Sequence, residues 1–368
     1  MPGDKISVNV EFQKLEGIKV KTSTRIALLA SMLAVVAVIV AACSSSTATP
    51  TPGPSSVLGV TPFYGVPGIV DPENHGWPRQ VEGLNGIVTI AAKPQRIVTL
   101  SVGHDEMTYA IVPASRVVAV GSATKNPQFS NVAELAQDVP TVSREPESIL
   151  SHNPDVMVTS PFIKAEVIQS LSNAGLTVIQ TALAQGPEAR IENILLLGYI
   201  YGEEERAVAF AQEVQQRFEA LQAVVQAKPD SQRQRVMSTA RFSEKIYTAG
   251  GNSTEGGIII AAGGINVAEE AGLTRNPTIS LESIIAMRPE VILVTQPADS
   301  GEEFRQDLLN NPALAEVPAI KDGQVYVVDN LSFTTLSHWN LVGAEKLARL
   351  LWPNDFEDQE IPPFSVPE

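Results

Sequence analysis

Short apolar runs alternate with amphipathic stretches along most of the chain. Residues 86–90 read GIVTI, and this alternation of apolar and polar positions predicts one strand of a hairpin near the start of the folded part. Longer apolar runs predict buried strands at 96–100, 116–121, 154–160 and 175–181. A helical pattern such as that of 165–174 separates these runs, so we expect a mostly parallel sheet with helices on both faces.

Residues 191–227 depart from this alternation because their pattern is helical throughout. From Ala207 to Val224 the apolar residues return every three or four positions, which forms one apolar stripe. Gly198 and Gly202 are expected to separate a first helical piece from a second. The second piece, about 25 residues, would be about 37 Å long at 1.5 Å per residue, enough to connect two lobes.

After Pro229 the alternation resumes. Apolar runs predict strands at 234–240, 290–296 and 324–329, and helical patterns cover 256–264 and 339–351. Residues 146–160 and 281–295 are similar, with five of fifteen positions identical and the second copy beginning 135 residues after the first. That separation is too long for a solenoid repeat, so we expect two similar α/β lobes, one on each side of the helical stretch.

Composition narrows the class of protein. The 368 residues fit two globular domains or one large one, and 44% hydrophobic residues are ample for buried cores. The single cysteine excludes a disulfide framework and a CxxC zinc or redox site. A net charge of −15 argues against nucleic-acid binding, since that requires a basic surface to neutralise phosphates.

The N-terminus has the features of an export signal. Residues 26–42 are an uncharged run of 17, and basic residues precede it. The run ends in Val-Ala-Ala-Cys, which resembles the bacterial lipobox, so we expect a signal peptide at 1–42 and a lipid on Cys43. An uncleaved membrane anchor is the alternative, although the run is short for about 30 Å of hydrocarbon. Both interpretations place the rest of the chain outside the cytoplasm.

Residues 44–60 are rich in serine, threonine, proline and glycine and carry no charge, which is typical of a semi-extended tether. We therefore expect a folded module held at the outer face of the cell membrane. The predicted organisation is a signal peptide (1–42), a lipid-anchored tether and lead-in (43–76), an N-terminal lobe (77–190), a connecting helix (191–228), a C-terminal lobe with a closing helix (229–353) and a tail (354–368).

An ordered set of segments resembles a known family. The lipobox and tether are followed by QRIVTLSVGHDE, the repeated Glu-Ser-Ile and Pro-acid-Val pattern, GGNSTEGGIIIAAGGINVAEEAG and AEVPAIKDGQVYVVD. Over about 80–353 this order resembles the periplasmic-binding family for iron complexes and cobalamin, the helical-hinge substrate-binding proteins of ABC importers. No segment alone is decisive, but the set is specific.

The resemblance implies a fold and a function. The fold is α/β, of the class III or helical-backbone type: two Rossmann-like lobes with mostly parallel sheets, joined by one long helix. The implied function is that of an extracytoplasmic solute-binding lipoprotein, which captures a metal chelate between its lobes and delivers it to a membrane permease. Ferric siderophore, cobalamin and haem are the implied cargoes, and the implied partners are an ABC permease dimer with its cytoplasmic ATPases. We expect a monomer.

Family members dock onto their permease through one glutamate on each lobe. The matching positions are Glu147 and Glu282, one in each copy of the repeat. The alternative is a local role, because an acidic residue in the first turn of a helix is favoured by the helix dipole by about 0.3–1 kcal/mol.

Ligands of open α/β sheets lie beyond the carboxyl ends of the strands, so the loops there supply the candidates. The resulting ligand-binding candidates are His104, Asp105, Glu106, Arg241, Phe242, Tyr247, Phe333, His338 and Trp339. The structural alternatives are an acidic helix start for His104, Asp105 and Glu106, a surface ion pair for Arg241, core packing for Phe242 and Tyr247, a structural histidine for His338, and a helix cap for Trp339.

The cargo is expected to bring its own metal. A bare zinc or manganese site needs about three converging His or carboxylate ligands, and the chain has four histidines and no His-rich loop. We therefore expect no protein-ligated metal and no resident cofactor. His104, His338 and Tyr247 leave haem ligation open, because haem binders use a Tyr or His axial ligand. A protein for a directly coordinated metal ion and a ligand sensor of the same fold are the alternatives.

Other classes of function fit the sequence less well. GxSxG, HExxH and a cysteine nucleophile outside the lipobox are absent from the sequence, so we expect no enzyme. An adhesin or structural lipoprotein would be expected to expose a large apolar or repeat-rich face instead of a cleft between duplicated lobes.

Overall fold

The computed structural model describes residues 62–183, 185–356 and 360–367, which all fall within one compact unit. The predicted signal peptide, Cys43 and the tether at 44–60 lie outside the described residues. The described part begins with an antiparallel hairpin of β1 (Arg79–Gly83) and β2 (Gly86–Ile90), in which Val81 and Ile90 are buried.

Arg79 fixes this hairpin to the helices that connect the lobes. Its buried guanidinium donates to the carbonyls of Tyr199 (2.5 Å), His75 (2.7 Å) and Gly76 (2.9 Å) and forms an ion pair with Glu204. A buried arginine with this many acceptors holds its neighbours in one geometry, because moving them apart would leave the guanidinium without its counter-charge and hydrogen-bond acceptors in the protein interior.

Four parallel strands form the sheet of the N-terminal lobe: β3 (Ile97–Val98), β4 (Val117–Ala119), β5 (Val156–Thr159) and β6 (Thr177–Gln180). Their order in the sheet is β4–β3–β5–β6. The helices of this lobe are α1 (Val102–Ile111), α2 (Pro146–Leu150) and α3 (Ala165–Asn173). All four residues of β5 are buried, which explains the continuous apolar run predicted there.

Two helices, rather than one, connect the lobes. They are α4 (Arg190–Tyr201) and α5 (Glu204–Val225), and they pack against each other. The break is at Gly202, whose φ of +67° is a left-handed conformation that glycine adopts without strain. Gly198 does not break the helix as predicted. It lies inside α4, where a Cβ would come within 2.1 Å of Ala207, so it serves close packing.

Six strands form the sheet of the C-terminal lobe: β7 (Arg235–Phe242), β8 (Lys245–Thr248), β9 (Ile265–Asn266), β10 (Thr278–Ile279), β11 (Val291–Val294) and β12 (Val325–Val327). The order is β10–β8–β7–β11–β12, with β9 also paired to β7. β8 pairs antiparallel with β7 and β10, whereas the other pairs are parallel. Phe242 and Tyr247 therefore lie on strands of a hairpin and not in the loop predicted for them.

The C-terminal lobe contains α6 (Thr254–Ala261), α7 (Val267–Glu270), α8 (Leu281–Met287), α9 (Ala298–Leu309), α10 (Pro318–Lys321), α11 (Asn330–Phe333) and α12 (Asn340–Leu351). The repeat seen in the sequence is also structural, because α2 leads into β5 as α8 leads into β11. No described helix is both long enough and apolar enough to cross a membrane.

One apolar core extends across both lobes. It runs from Ile97 and Val156 in the first sheet, through Phe210 of α5, to Ile258 and Leu341 on helices of the C-terminal lobe. Two smaller clusters cover the outer faces of the sheets. Because the connecting helices are part of the shared core, a large change of the angle between the lobes would expose apolar surface.

Candidate functional site

A cavity of about 420 Å³ opens between the lobes. Most of its lining comes from the carboxyl ends of β7 and β11 and from β8, where ligands of open α/β sheets are expected. Phe129 of the N-terminal lobe and Asn330 and Thr334 of the α11 segment complete the lining. A second cavity of about 350 Å³ shares Gln296, Pro297 and Asn330 with the first, so the two adjoin.

Aromatic rings supply much of the apolar surface of this cavity. Phe242 is 60% exposed and Phe129 is 43% exposed, although both are large apolar side chains. The rings of Phe242 and Tyr247 meet edge to face with centroids 5.8 Å apart. Exposed rings in a concave site gain free energy when a flat apolar ligand covers them, so this wall suits a ligand with an extended apolar face.

The polar groups of the cavity are one carboxylate and several amides and hydroxyls. Glu255, in the first turn of α6, is partly buried and accepts a hydrogen bond from the Asn276 side chain, and burial raises the pKa of its carboxyl. Gln296 accepts a hydrogen bond from the backbone N–H of Arg241 at 2.7 Å. Lysine, arginine and histidine are absent from the described residues that line the cavity.

Arg241 does not face the cavity. Its guanidinium forms ion pairs with Asp307 and Glu303 of α9, and it lies 5.0 Å from the centroid of the Phe304 ring. Asp307 and Glu303 therefore already neutralise the positive charge of Arg241 that a carboxylate or catecholate ligand would need to bind. Among the candidates predicted from sequence, Phe242 and Tyr247 are those that line the cavity.

His104 and Asp105 are buried within the N-terminal lobe. His104 Nε2 lies 2.7 Å from the Thr181 hydroxyl, and burial lowers the pKa of the imidazole to about 3. Asp105 accepts hydrogen bonds from the hydroxyls of Thr99 and Thr124, and burial raises the pKa of its carboxyl to about 7. Neither side chain belongs to the cavity lining.

Glu106 lies on the same helix and reaches the other lobe. Its Oε1 accepts from the backbone N–H and the side-chain amide of Asn131, both at 2.8 Å. Its Oε2 accepts from the hydroxyls of Thr335 (2.6 Å) and Ser337. Burial raises the pKa of this carboxyl, and the hydrogen bonds partly oppose the shift.

Phe333, His338 and Trp339 lie behind the cavity rather than in its lining. Phe333 is buried, and the His338 ring makes edge contacts with Phe210 and Phe364, both with centroids 4.7 Å apart. Burial lowers the pKa of His338 to about 3, so this imidazole is neutral at ordinary pH. The rings of His338 and Trp339 form an aromatic cluster with Phe210 and Phe364 at the start of α12.

Several residues of the cavity were not found from the sequence. Phe129 belongs to a segment without strand or helix periodicity, and Asn276 precedes a strand of two residues. Glu255 lies in GGNSTEGG, which reads as a turn entering a helix. Among the described residues, no group of three or more His, Cys, Asp or Glu side chains could hold a metal ion.

Glu147 and Glu282 occupy equivalent places on the two lobes. Each is exposed and lies in the first turn of its helix, α2 or α8. Since a helix that leads into a parallel strand runs antiparallel to it, both first turns lie toward the carboxyl edge of their sheet. This is the edge at which the cavity opens. Hydrogen bonds from Ser280 and from a backbone N–H lower the pKa of Glu282.

Comparison with known proteins agrees with this architecture. A cobalamin-binding protein of Halobacterium salinarum is 25% identical over 261 residues, which are 70% of this chain and 68% of the relative. An uncharacterized ABC transporter substrate-binding lipoprotein of Bacillus subtilis, YvrC, is 24% identical over 280 residues, covering 75% of this chain and 86% of the relative.

The fold also matches solved structures. The periplasmic heme-binding protein RhuT from Roseiflexus sp. RS-1, in its apo form, superposes with a TM-score of 0.61 at 25% identity, covering 70% of this chain and 98% of that one. The sequence profile of the family described as periplasmic binding protein matches residues 97–331. With its two α/β lobes, connecting helices and cleft, the chain belongs to the periplasmic binding protein family.

Proposed function

We propose that this protein captures a corrinoid between its lobes and delivers it to an ABC permease. The observation that carries the choice of cargo is the cavity itself, which combines exposed aromatic rings with amides and hydroxyls and has no cationic side chain in its described lining. The protein acts by binding and release and not as an enzyme.

The charge of the cavity separates the three classes of cargo. A ferric triscatecholate carries several negative charges and needs arginine or lysine side chains to replace its hydration. The nearest candidate, Arg241, is occupied by Asp307 and Glu303. A corrinoid has a broad ring with neutral amide groups at its edge, which suits the amides of Asn276 and Gln296.

Haem is the second candidate, because the Tyr247 phenol lines the cavity and a tyrosine can ligate haem iron. The cavity offers no described cation for the haem propionates, which is why we place the corrinoid first. Support from relatives points to both, as the H. salinarum protein is named for cobalamin and RhuT for heme.

Binding of defined chelates to the full-length protein in mild detergent tests the cargo. We expect cyanocobalamin to bind with a lower dissociation constant than hemin or a ferric triscatecholate, measured by calorimetry and visible absorbance. Phe242→Ala should weaken this binding, whereas Phe162→Ala, which removes a 69% exposed ring outside the cavity, should not. Tighter binding of the triscatecholate would overturn the charge argument, and retention of no chelate would overturn the proposed function.

The proposed membrane attachment is a lipid on Cys43, outside the described residues. The lipobox resemblance supports it, and the relative YvrC is named a lipoprotein. We expect Cys43→Ser to release the protein from the membrane fraction and to abolish incorporation of a fatty-acid analogue. Continued incorporation at another site would contradict this assignment.

The proposed docking residues are Glu147 and Glu282. Reversing both charges to lysine should abolish uptake and leave the affinity for the chelate unchanged. Glu166→Lys is the matched control, because Glu166 is also exposed in the first turn of a helix but lies outside the repeat. If the double variant transports normally and loses only stability, the two glutamates serve the helix dipole and not the permease.

A further inference from the structure

Two adjacent carboxylates of α1 are buried, and their partners lie in different parts of the molecule. Asp105 accepts from Thr99 and Thr124, which both belong to the N-terminal lobe. Glu106 accepts from residues of both lobes and is 1% exposed. The hydrogen bonds of Asp105 therefore stay within the N-terminal lobe, whereas those of Glu106 connect the two lobes.

The bonds of Glu106 divide evenly between the lobes. Oε1 binds the backbone N–H and amide of Asn131, while Oε2 binds the hydroxyls of Thr335 and Ser337. The Asn131 amide also donates to the carbonyl of Leu331 at 2.8 Å, which adds a direct bond between the same two segments. Charge-assisted hydrogen bonds of this kind are stronger than neutral ones and have defined geometry.

Both segments continue directly into the walls of the cavity. Phe129, on the wall from the N-terminal lobe, lies two residues before Asn131. Thr334, on the opposite wall, immediately precedes Thr335. The carboxylate of Glu106 therefore joins the two segments that form these walls, although Glu106 is not part of the cavity lining.

A second contact of α1 reinforces this arrangement. Gly103 lies one helical turn before Glu106, and a Cβ built on it would be 2.8 Å from the backbone oxygen of Leu336. The helix therefore meets the 335–337 segment through bare backbone at one position and through a carboxylate at the next turn. This close approach is independent of the hydrogen bonds and holds the same segment.

We propose that Glu106 is a positioning residue of the ligand cleft, whose buried carboxylate aligns the Phe129 wall with the Thr334 wall. The role rests on the proposed function, because it presupposes that the ligand binds between these walls. Without this carboxylate, a smaller fraction of the protein molecules has the Phe129 and Thr334 walls at the separation that binds the ligand. The apparent dissociation constant rises in inverse proportion to that competent fraction.

The experiment compares Glu106→Ala with Asp105→Asn in the full-length protein. Asp105 is the matched control, because it is a buried carboxylate on the same helix whose partners stay within one lobe. Spin labels at Ser170→Cys on α3 and Ser300→Cys on α9, both exposed positions, report the separation of the lobes by double electron–electron resonance, with the native cysteine replaced by Cys43→Ser.

For Glu106→Ala we expect a broadened or shifted distance distribution and a dissociation constant for cyanocobalamin raised about tenfold. For Asp105→Asn we expect the parental distribution and a dissociation constant within about twofold, even where stability falls. Glu106→Gln, which keeps the length of the side chain, replaces the alanine variant if that one does not fold.

Two results would overturn the proposal. One is a Glu106 variant with the parental distance distribution. The other is an Asp105 variant that changes the distribution equally, because the effect would then follow from loss of any buried carboxylate. If the parental protein binds no cyanocobalamin, the proposed cargo fails, and the distance distributions of the ligand-free variants still decide the role of Glu106.

Discussion

The contact between Gly103 and the 335–337 segment predicts the effect of adding a single methyl group. In Gly103→Ala the new Cβ would meet the Leu336 carbonyl oxygen at 2.8 Å, its carbon at 2.9 Å and the Leu336 Cβ at 3.0 Å. These are the backbone atoms and the Cβ of Leu336, which, unlike the end of a flexible side chain, cannot move aside. The segment must yield by about 0.6 Å to reach an ordinary distance of 3.4 Å.

Two opposing terms determine the size of the effect. Overpacking costs about 1–3 kcal/mol, and alanine gains about 0.5–1 kcal/mol over glycine within a helix. We therefore expect the free energy of unfolding to fall by about 1 kcal/mol. Since the displaced segment adjoins Thr334, we also expect the dissociation constant for the chelate to rise about threefold.

Urea unfolding followed by tryptophan fluorescence, together with calorimetric titration of the chelate, measures both quantities. Gly121→Ala is the control, because its φ of −72° is allowed for alanine and its nearest neighbour, the Leu100 side chain, is 4.0 Å from the new Cβ. A Gly103 variant that is as stable as the parent and binds equally well would refute the reasoning, because the 335–337 segment would then not be held by α1.

Three further predictions concern buried or partly buried charge. Arg79→Met leaves Glu204 and three carbonyls without their donor, so the free energy of unfolding in urea should fall by about 3–5 kcal/mol, and a loss below about 1 kcal/mol would contradict the anchoring role. The pKa of His338 is about 3 in the folded protein, against an ordinary value of 6.5. As pH falls, the unfolded state therefore binds the proton before the folded state does. This residue lowers the free energy of unfolding by about 1.4 kcal/mol per pH unit below about pH 6.5. His338→Phe should reduce the pH slope of unfolding curves between pH 4.5 and 7.5 by about that amount, because the buried His104, whose pKa is also about 3, still contributes. His75→Gln, at an exposed position, should leave the slope unchanged. Burial raises the pKa of the Glu255 carboxyl, and a bound neutral cargo would bury this carboxyl further, which favours its protonated form. The affinity for the chelate should therefore fall as pH rises through the pKa of Glu255. The same pH dependence in Glu255→Gln would show that another group is responsible.

The fold could be predicted where sequence pattern reflects burial directly. Strands such as β5 and β11 are buried on both faces, so each appears as an unbroken apolar run. β8 and β10 were missed because they are short and half exposed. β8 pairs with β7 through a tight turn at Ser243, whose φ is +52°, and β10 pairs only with β8. The position of the break between α4 and α5 could not be predicted, because the sequence does not show that Gly202 and not Gly198 adopts a positive φ.

The site was predictable only in part, for a different physical reason. Chain topology places His104, Asp105 and Glu106 at the correct edge of the sheet, but their exposure depends on what packs over them. Glu106 is covered by Thr335, 229 residues along the chain. A local sequence pattern carries no information on such a contact, so these residues could not be told apart from cavity-facing ones before the structure.

The position of Arg79 has a mechanical consequence. The guanidinium attaches the N-terminal hairpin to Tyr199 at the end of α4 and to Glu204 at the start of α5, on the two sides of the break at Gly202. If the protein is held to the membrane through its N-terminus, tension in that segment meets the Arg79 contacts to the connecting helices and the hydrogen bonds of Leu84 and Asn85 to β6. The load would then enter the molecule at the hairpin and the connecting helices, none of which belongs to the described lining of the cavity.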